Sequence, residues 1–134
     1  MQQRLTATLP CNDLDAAEAF FARLGFRRGQ GSLDGYRMLS DELGGFIHLN
    51  RAVEGWLEAG RNPFDLYLYR EDVDGVARAF AGETLGQPGD KPWGMYEFAL
   101  NGPDETLVRV GWPTRLRGKT DPEQRQGDND PQGL

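Results

Sequence analysis

The chain carries side chains whose types suit the binding of a flat, positively charged molecule. Its candidate rings come from three tyrosines and one tryptophan, Tyr36, Tyr67, Tyr69 and Trp93. Asp65 lies two positions before Tyr67, on the same side of an alternating run. Aromatic faces stack on heteroaromatic rings and attract cations, and acidic neighbours favour the same charge. We therefore predict a ligand-binding set formed by these residues together with His48 and Arg109.

Three of these residues also have simpler explanations. His48 is the only histidine of the chain, and its ring is suited to proton transfer near neutral pH. A lone histidine on a strand is more often a hydrogen-bonded wall residue. Asp65 and Arg109 are equally expected to form an ion pair across a sheet, and Glu97 is expected at a solvated strand rim. No nucleophile is paired with a base, so no catalytic residue is predicted.

Length, charge and cysteine usage narrow the classes of function. A chain of 134 residues favours one domain with a real core. Its net charge of −6 argues against nucleic acid and anionic membranes and favours cationic ligands. No apolar run is long enough to span a bilayer, and residues 1–10 lack a signal-peptide core. The single Cys11 excludes an internal disulfide and fits the cytoplasm, and we expect a packed thiol there.

The first part of the chain is predicted to form one strand, one helix and three further strands. Arg4–Pro10 alternates between apolar and polar residues, which predicts a strand that Pro10 ends. A helix is expected to begin at Asn12 or Asp13 and to end at Gly25. Three short apolar runs follow it, Phe26–Arg28, Tyr36–Leu39 and Phe46–Asn50.

The same pattern starts again after a connector at residues 53–63. A strand alternates through Phe64 to Tyr69, and a helix begins at Asp72. A weak strand is expected near Thr84–Leu85, and residues 91–112 form a hairpin around a turn rich in glycine and proline. When the second half of the sequence is aligned with the first at an offset of 59 residues, Phe64 falls on Leu5. Each half therefore supports the interpretation of the other.

These patterns predict an α+β domain at residues 1–112, built from two βαβββ modules. The modules are residues 1–52 and 64–112. Residues 113–134 are polar and poor in large apolar side chains, which predicts a disordered tail.

Paired βαβββ modules resemble the vicinal oxygen chelate (glyoxalase/dioxygenase) superfamily over residues 4–112. Two segments within them are similar to the bleomycin resistance proteins, LPCNDLDAAEAFFARLGF at Leu9–Phe26 and KPWGMYEFALNGPDETLVRVG at Lys91–Gly111. The resemblance implies curved mixed sheets with helices on their convex face. It also implies sequestration of a cationic aromatic antibiotic or similar small molecule, without chemistry. The implied assembly is a homodimer, in which the first strand crosses to the partner near Pro10.

Enzymes of this superfamily place metal ligands on the first and last strands of each module. The resemblance puts these points at Thr6, His48, Asp65 and Arg109. Threonine is a poor ligand and arginine repels a metal cation, so two donors remain. We therefore predict no metal and no other cofactor, and a binding protein is the leading hypothesis. The alternative is a metal-dependent lyase, isomerase or dioxygenase, which would need Glu97 or Asp104 as a further ligand.

Overall fold

The structure, a computed structural model, describes residues 4–118, and these contain two successive βαβββ arrangements. The first comprises β1 (Ala7–Cys11), α1 (Leu14–Arg23), β2 (Arg27–Arg28), β3 (Tyr36–Ser40) and β4 (Phe46–Arg51). The second comprises β5 (Asp65–Tyr69), α2 (Val73–Ala79), β6 (Thr84–Asp90), β7 (Met95–Asn101) and β8 (Leu107–Pro113). They form two four-stranded sheets, which confirms the predicted α+β fold.

The first sheet has the strand order β1-β4-β3-β2, with β1 parallel to β4 and the other neighbours antiparallel. The predicted end of the first strand at Pro10 is wrong, because β1 includes Pro10 and Cys11. Proline lacks an N–H for the ladder, but an edge strand needs its donors on one side only. Since β1 is an edge strand, Pro10 can lie opposite Asn50 without breaking the sheet.

Helix α1 begins where the sequence predicts it and covers one face of this sheet. The Asp13 carboxylate accepts a hydrogen bond from the backbone N–H of Ala16 at 3.0 Å, a standard N-cap. Gly25, with φ of 96°, follows the helix in the left-handed conformation that glycine adopts at low cost. The core residues of helix and sheet are all less than 6 % exposed and include Leu9, Leu14, Ala17, Phe21, Leu39, Ile47 and Leu49.

The second sheet has the order β5-β8-β7-β6, so β8 lies between β5 and β7. Asp72 occupies the N-cap position of α2 but makes no capping bond. Its carboxylate instead accepts two hydrogen bonds from the Arg70 guanidinium, at 2.9 and 2.8 Å. The weak strand expected near Thr84–Leu85 is longer, because β6 continues to Asp90 past an irregularity between Leu85 and Gly89. The buried apolar residues here are Val73, Val76, Phe80, Phe98, Leu100, Val108 and Val110.

The chain divides into two compact units whose boundary differs from a simple cut at the connector. The first unit runs to Leu66 and also includes Asn101–Leu107, while the second contains Tyr67–Leu100 and the chain from Val108 onward. Asp104 holds the returning segment in the first unit. Its carboxylate accepts bonds from the backbone N–H and the side-chain amide of Asn12, both at 3.0 Å. The single domain predicted for residues 1–112 stays a prediction.

Ordered elements extend past residue 112, where the tail was predicted to begin. Strand β8 continues through Pro113, and a 3-10 turn covers Thr114–Leu116. Residues 119–134, the remainder of the predicted tail, lie outside the described residues. Within the described range, none of the helices has the length and apolar character needed to cross a membrane.

Candidate functional site

In the first unit, β3 and β4 bring Tyr36 and His48 together. Alternation along the two strands turns Arg37 and Leu39 to the buried side, so Tyr36 faces the other way. The Tyr36 hydroxyl lies 2.9 Å from Nδ1 of His48, and the two rings meet edge to face with centroids 5.2 Å apart. His48 therefore has a fixed ring orientation and one nitrogen already engaged.

In the second unit, two of the predicted residues converge on the carboxylate of Glu97. The Tyr67 hydroxyl donates a hydrogen bond to Oε1 at 2.9 Å. The indole Nε1 of Trp93 donates to the same oxygen, also at 2.9 Å. Glu97 is only 4 % exposed, whereas Trp93 is 62 % exposed. The buried carboxylate thus fixes the orientation of an exposed indole ring.

The expectation that Glu97 lies at a solvated rim is wrong. Alternation along β7 places Phe98 and Leu100 in the core, so Glu97 projects from the opposite face. It is nevertheless buried there, because Tyr67 and Trp93 bond to it from neighbouring parts of the unit. Alternation in β7 predicted only that Glu97 faces away from Phe98, and the residues that bury it, Tyr67 and Trp93, could not be identified as its partners from the sequence.

The position of Tyr67 depends on Gly111, a residue the sequence analysis did not single out. A Cβ built at Gly111 would overlap the Tyr67 hydroxyl oxygen and would lie 2.9 Å from the Cβ of Glu97. No side chain fits there while the Tyr67–Glu97 bond is made. A glycine inside a strand often marks such a close approach, so Gly111 was detectable in principle.

The environment of Tyr67 favours its neutral, donating form. Burial raises the pKa of the Tyr67 hydroxyl well above its usual range, and the hydrogen bond to Glu97 raises it further. Arg109 acts in the opposite direction through its positive charge, but its effect is smaller. Tyr67 is consequently a hydrogen-bond donor to Glu97 throughout the physiological pH range.

The remaining predicted residues are distributed between the two units. Tyr69 lies beside Tyr67 with ring centroids 4.9 Å apart and is 52 % exposed. Asp65, at the start of β5, is exposed and belongs to the first unit, while the half-buried Arg109 belongs to the second. The ion pair predicted between Asp65 and Arg109 stays a prediction, as does their contact with a ligand.

The donor set does not fit a divalent metal of the kind the superfamily uses. Residues 4–118 contain no group of three or more histidine, cysteine, aspartate or glutamate side chains able to hold one. The two carboxylates that could have completed a site have other partners. Glu97 accepts bonds from Tyr67 and Trp93, and Asp104 accepts bonds from Asn12.

Buried charge also occurs in the first unit, at a position the sequence analysis did not identify. Arg37 is 6 % exposed, and its Nη1 lies 2.9 Å from carboxylate oxygens of both Asp15 and Glu18. These contacts tie β3 to α1. The role of Arg37 is therefore to join helix and sheet.

The Cys11 thiol is part of the core. It is fully buried, and burial together with the nearby Asp104 charge raises its pKa to about 12. Since the thiolate is the reactive form, Cys11 is not a nucleophile at neutral pH. The expected packed thiol is what the structure places there.

Comparison with solved structures decides the fold. A bleomycin-binding protein complexed with bleomycin is 24% identical, with a TM-score of 0.67, covering 83% of this chain and 98% of that one. A bleomycin resistance determinant encoded on the transposon Tn5 is 25% identical, with a TM-score of 0.69, covering 84% and 98%. The chain has the glyoxalase/bleomycin-resistance fold.

The glyoxalase/bleomycin-resistance fold also includes more distant structures. A glyoxalase/bleomycin resistance protein/dioxygenase from Nocardioides has a TM-score of 0.64 at 18% identity, covering 84% of this chain and 85% of that one. No protein-family model and no curated protein matches the chain. The predicted resemblance is thus confirmed through the glyoxalase/bleomycin-resistance fold, while ligand and chemistry depend on the residues of the site.

Proposed function

We propose that the protein binds a cationic aromatic antibiotic of the bleomycin type, or a similar small molecule, and sequesters it without chemistry. The observation that carries this proposal is the exposed Trp93 ring held by the buried Glu97 carboxylate. Tyr67 bonds to the same carboxylate oxygen as Trp93, and Tyr69 packs against Tyr67. The fold shared with a bleomycin-binding protein supports the same proposal.

The physical basis is stacking combined with electrostatic attraction. The exposed faces of Trp93 and Tyr69 offer the area on which a flat heteroaromatic group can stack. A cation over such a ring gains about 0.5–2 kcal/mol, more as it leaves water. The net charge of −6 increases the rate at which a cationic ligand arrives.

Sequestration without reaction is supported by the state of the reactive side chains. Cys11 is a fully buried thiol with a raised pKa. Residues 4–118 bring together no group of three or more histidine, cysteine, aspartate or glutamate side chains for the metal that a lyase, isomerase or dioxygenase of this kind needs. These observations favour the binding protein over the alternative enzyme.

A homodimer in the cytoplasm is the setting we propose for this activity. Trp93 and Tyr69 are more than half exposed, so a second copy could cover a ligand that rests on them. A two-fold dimer would then form two equivalent grooves. Analytical ultracentrifugation at micromolar concentration tests this state, and a monomer there would remove dimerisation from the proposal.

Titration with bleomycin, followed by calorimetry and by Trp fluorescence, tests the function directly. We expect saturable binding, with quenching that is lost in Trp93→Ala. Mass spectrometry of the recovered bleomycin should show an unchanged compound. Absence of binding at tens of micromolar would refute the proposal for bleomycin. Stoichiometric nickel, zinc, manganese or iron in the purified protein would restore the enzyme alternative.

A further inference from the structure

The Glu97 carboxylate is used on one side only. Both donors that reach it, the Tyr67 hydroxyl and the Trp93 indole, bond to Oε1. Within residues 4–118, Oε2 accepts no hydrogen bond and Glu97 takes part in no ion pair. A carboxylate has about four acceptor sites on its two oxygens, so half of this buried group has no protein partner.

The second oxygen is not sealed inside the protein. Among the described residues, one side-chain nitrogen or oxygen atom is both fully buried and without a hydrogen-bond partner, and it is Asn50 Oδ1. Oε2 of Glu97 also lacks a partner but is not such an atom, so it retains contact with solvent. The indole that bonds to the other oxygen of this carboxylate, that of Trp93, is itself exposed.

The second oxygen of Glu97 can accept a charged donor in addition to the positive charge that Arg109 already brings to the cluster through Tyr67. A carboxylate that loses most of its water requires either a positive partner or several donors. Tyr67 and Trp93 provide two neutral donors to Glu97. A protonated nitrogen at Oε2 would add a charge-assisted hydrogen bond, which is about twice as strong as a neutral one.

We propose that Glu97 Oε2 accepts a hydrogen bond from a protonated ring or amidine nitrogen of the ligand, while the ligand ring stacks on Trp93. This inference rests on the proposed function and specifies the ligand class: a cationic heteroaromatic group that carries an N–H. One carboxylate then sets both requirements, since Oε1 orients the stacking ring and Oε2 selects the charged donor. A permanently charged ring without an N–H is bound less well.

Three tricyclic probes separate the contributions of charge and hydrogen bonding. Proflavine is cationic and carries N–H donors, N-methylacridinium is cationic without a ring N–H, and acridine is neutral at slightly alkaline pH. We expect the wild-type protein to bind proflavine at least about tenfold more tightly than N-methylacridinium, as expected for a charge-assisted hydrogen bond. Acridine should bind most weakly. This comparison needs no variant, and equal affinities for the three probes would overturn the inference.

The Glu97→Gln variant, measured with the same three probes, is the second test. It retains a carbonyl acceptor for Tyr67 and Trp93 but removes the negative charge. We expect the preference for proflavine over N-methylacridinium to fall to within about threefold, with acridine affinity and Trp emission unchanged. Glu54→Gln is the matched control, since Glu54 is exposed and the net charge changes equally. That control should keep the full preference.

Titration of the same proteins with bleomycin separates a failure of the proposed function from a failure of the proposed role of Glu97. If the wild type binds bleomycin and Glu97→Gln binds it equally well, the role of Glu97 is wrong and the proposed function stands. If the wild type binds neither bleomycin nor any acridine, the proposed function itself fails. If Glu97→Gln does not fold, the wild-type comparison of the three probes decides.

Discussion

Replacing Gly111 with alanine should disrupt the candidate site from within the sheet. The added Cβ would overlap the Tyr67 hydroxyl and approach the Cβ of Glu97 to 2.9 Å. Tyr67 must then move and release its bond to the carboxylate. Losing a hydrogen bond to a charged group costs about 1.5–3 kcal/mol, and overpacking a filled site costs about 1–3 kcal/mol.

Because the tyrosine relieves the overlap by moving, the two costs do not add in full. We expect a loss of about 3 kcal/mol in the free energy of unfolding, measured by urea denaturation. Thermal unfolding should show a fall in Tm of about 10 °C for a domain of this size. Bleomycin affinity should fall as well, because Trp93 and Tyr67 share the oxygen that is disturbed.

Gly89→Ala is the matched control for this experiment. Gly89 also lies in a strand, β6, and a Cβ there would meet nothing within 4 Å. We expect this variant to unfold within about 0.5 kcal/mol of the wild type, as ordinary surface changes do. Tyr67→Phe combined with Gly111→Ala should cost less than the sum of the single changes. If Gly111→Ala were as stable as Gly89→Ala, the close packing of Tyr67 against Glu97 would be refuted.

Three further predictions concern other parts of the molecule. Trp93→Phe keeps a ring but loses the bond to Glu97, so calorimetry should show that the proposed bleomycin binding is weakened by about tenfold. The Arg28 and Arg37 contacts hold the pKa of Glu18 below its ordinary value. That stability is present at neutral pH and is lost as pH falls below about 4.5, so urea unfolding at several pH values should show a smaller acid loss in Glu18→Gln. Cys11, with its raised pKa, should react with an aromatic disulfide reagent at neutral pH only as fast as the protein unfolds, and rapid labelling of the native state would contradict its burial.

The order of elements was predictable because it depends on local signals. Alternation in β5, the N-cap at Asp13 and the glycine at Gly25 each act within a few residues of their own position. The repeat between the two halves then assigned the weaker segments. The prediction that Pro10 ends its strand was wrong because β1 lies at the edge of its sheet, where proline is tolerated. Edge position depends on the order of strands in the sheet and cannot be deduced from one strand's sequence.

The candidate site was predictable only in part, because its decisive contacts join distant residues. Alternation along its strand identified Tyr67 as a ligand-binding candidate, and the Pro-Trp-Gly motif of the family resemblance identified Trp93. The shared acceptor Glu97 and the space left by Gly111 depend on how β8 lies between β5 and β7. Arg37 was missed for the same reason, since its partners Asp15 and Glu18 lie on α1, and Glu18 is 19 residues earlier in the sequence.

The return of Asn101–Leu107 to the first unit has a consequence for synthesis of the chain. An N-terminal fragment ending at the connector would lack the partner that Asp104 provides to Asn12. On the ribosome, these bonds to Asn12 can form only after residues made more than half a chain later. A gene split at the connector would therefore separate Asn12 from the residue that bonds to it, however closely the two halves repeat one another.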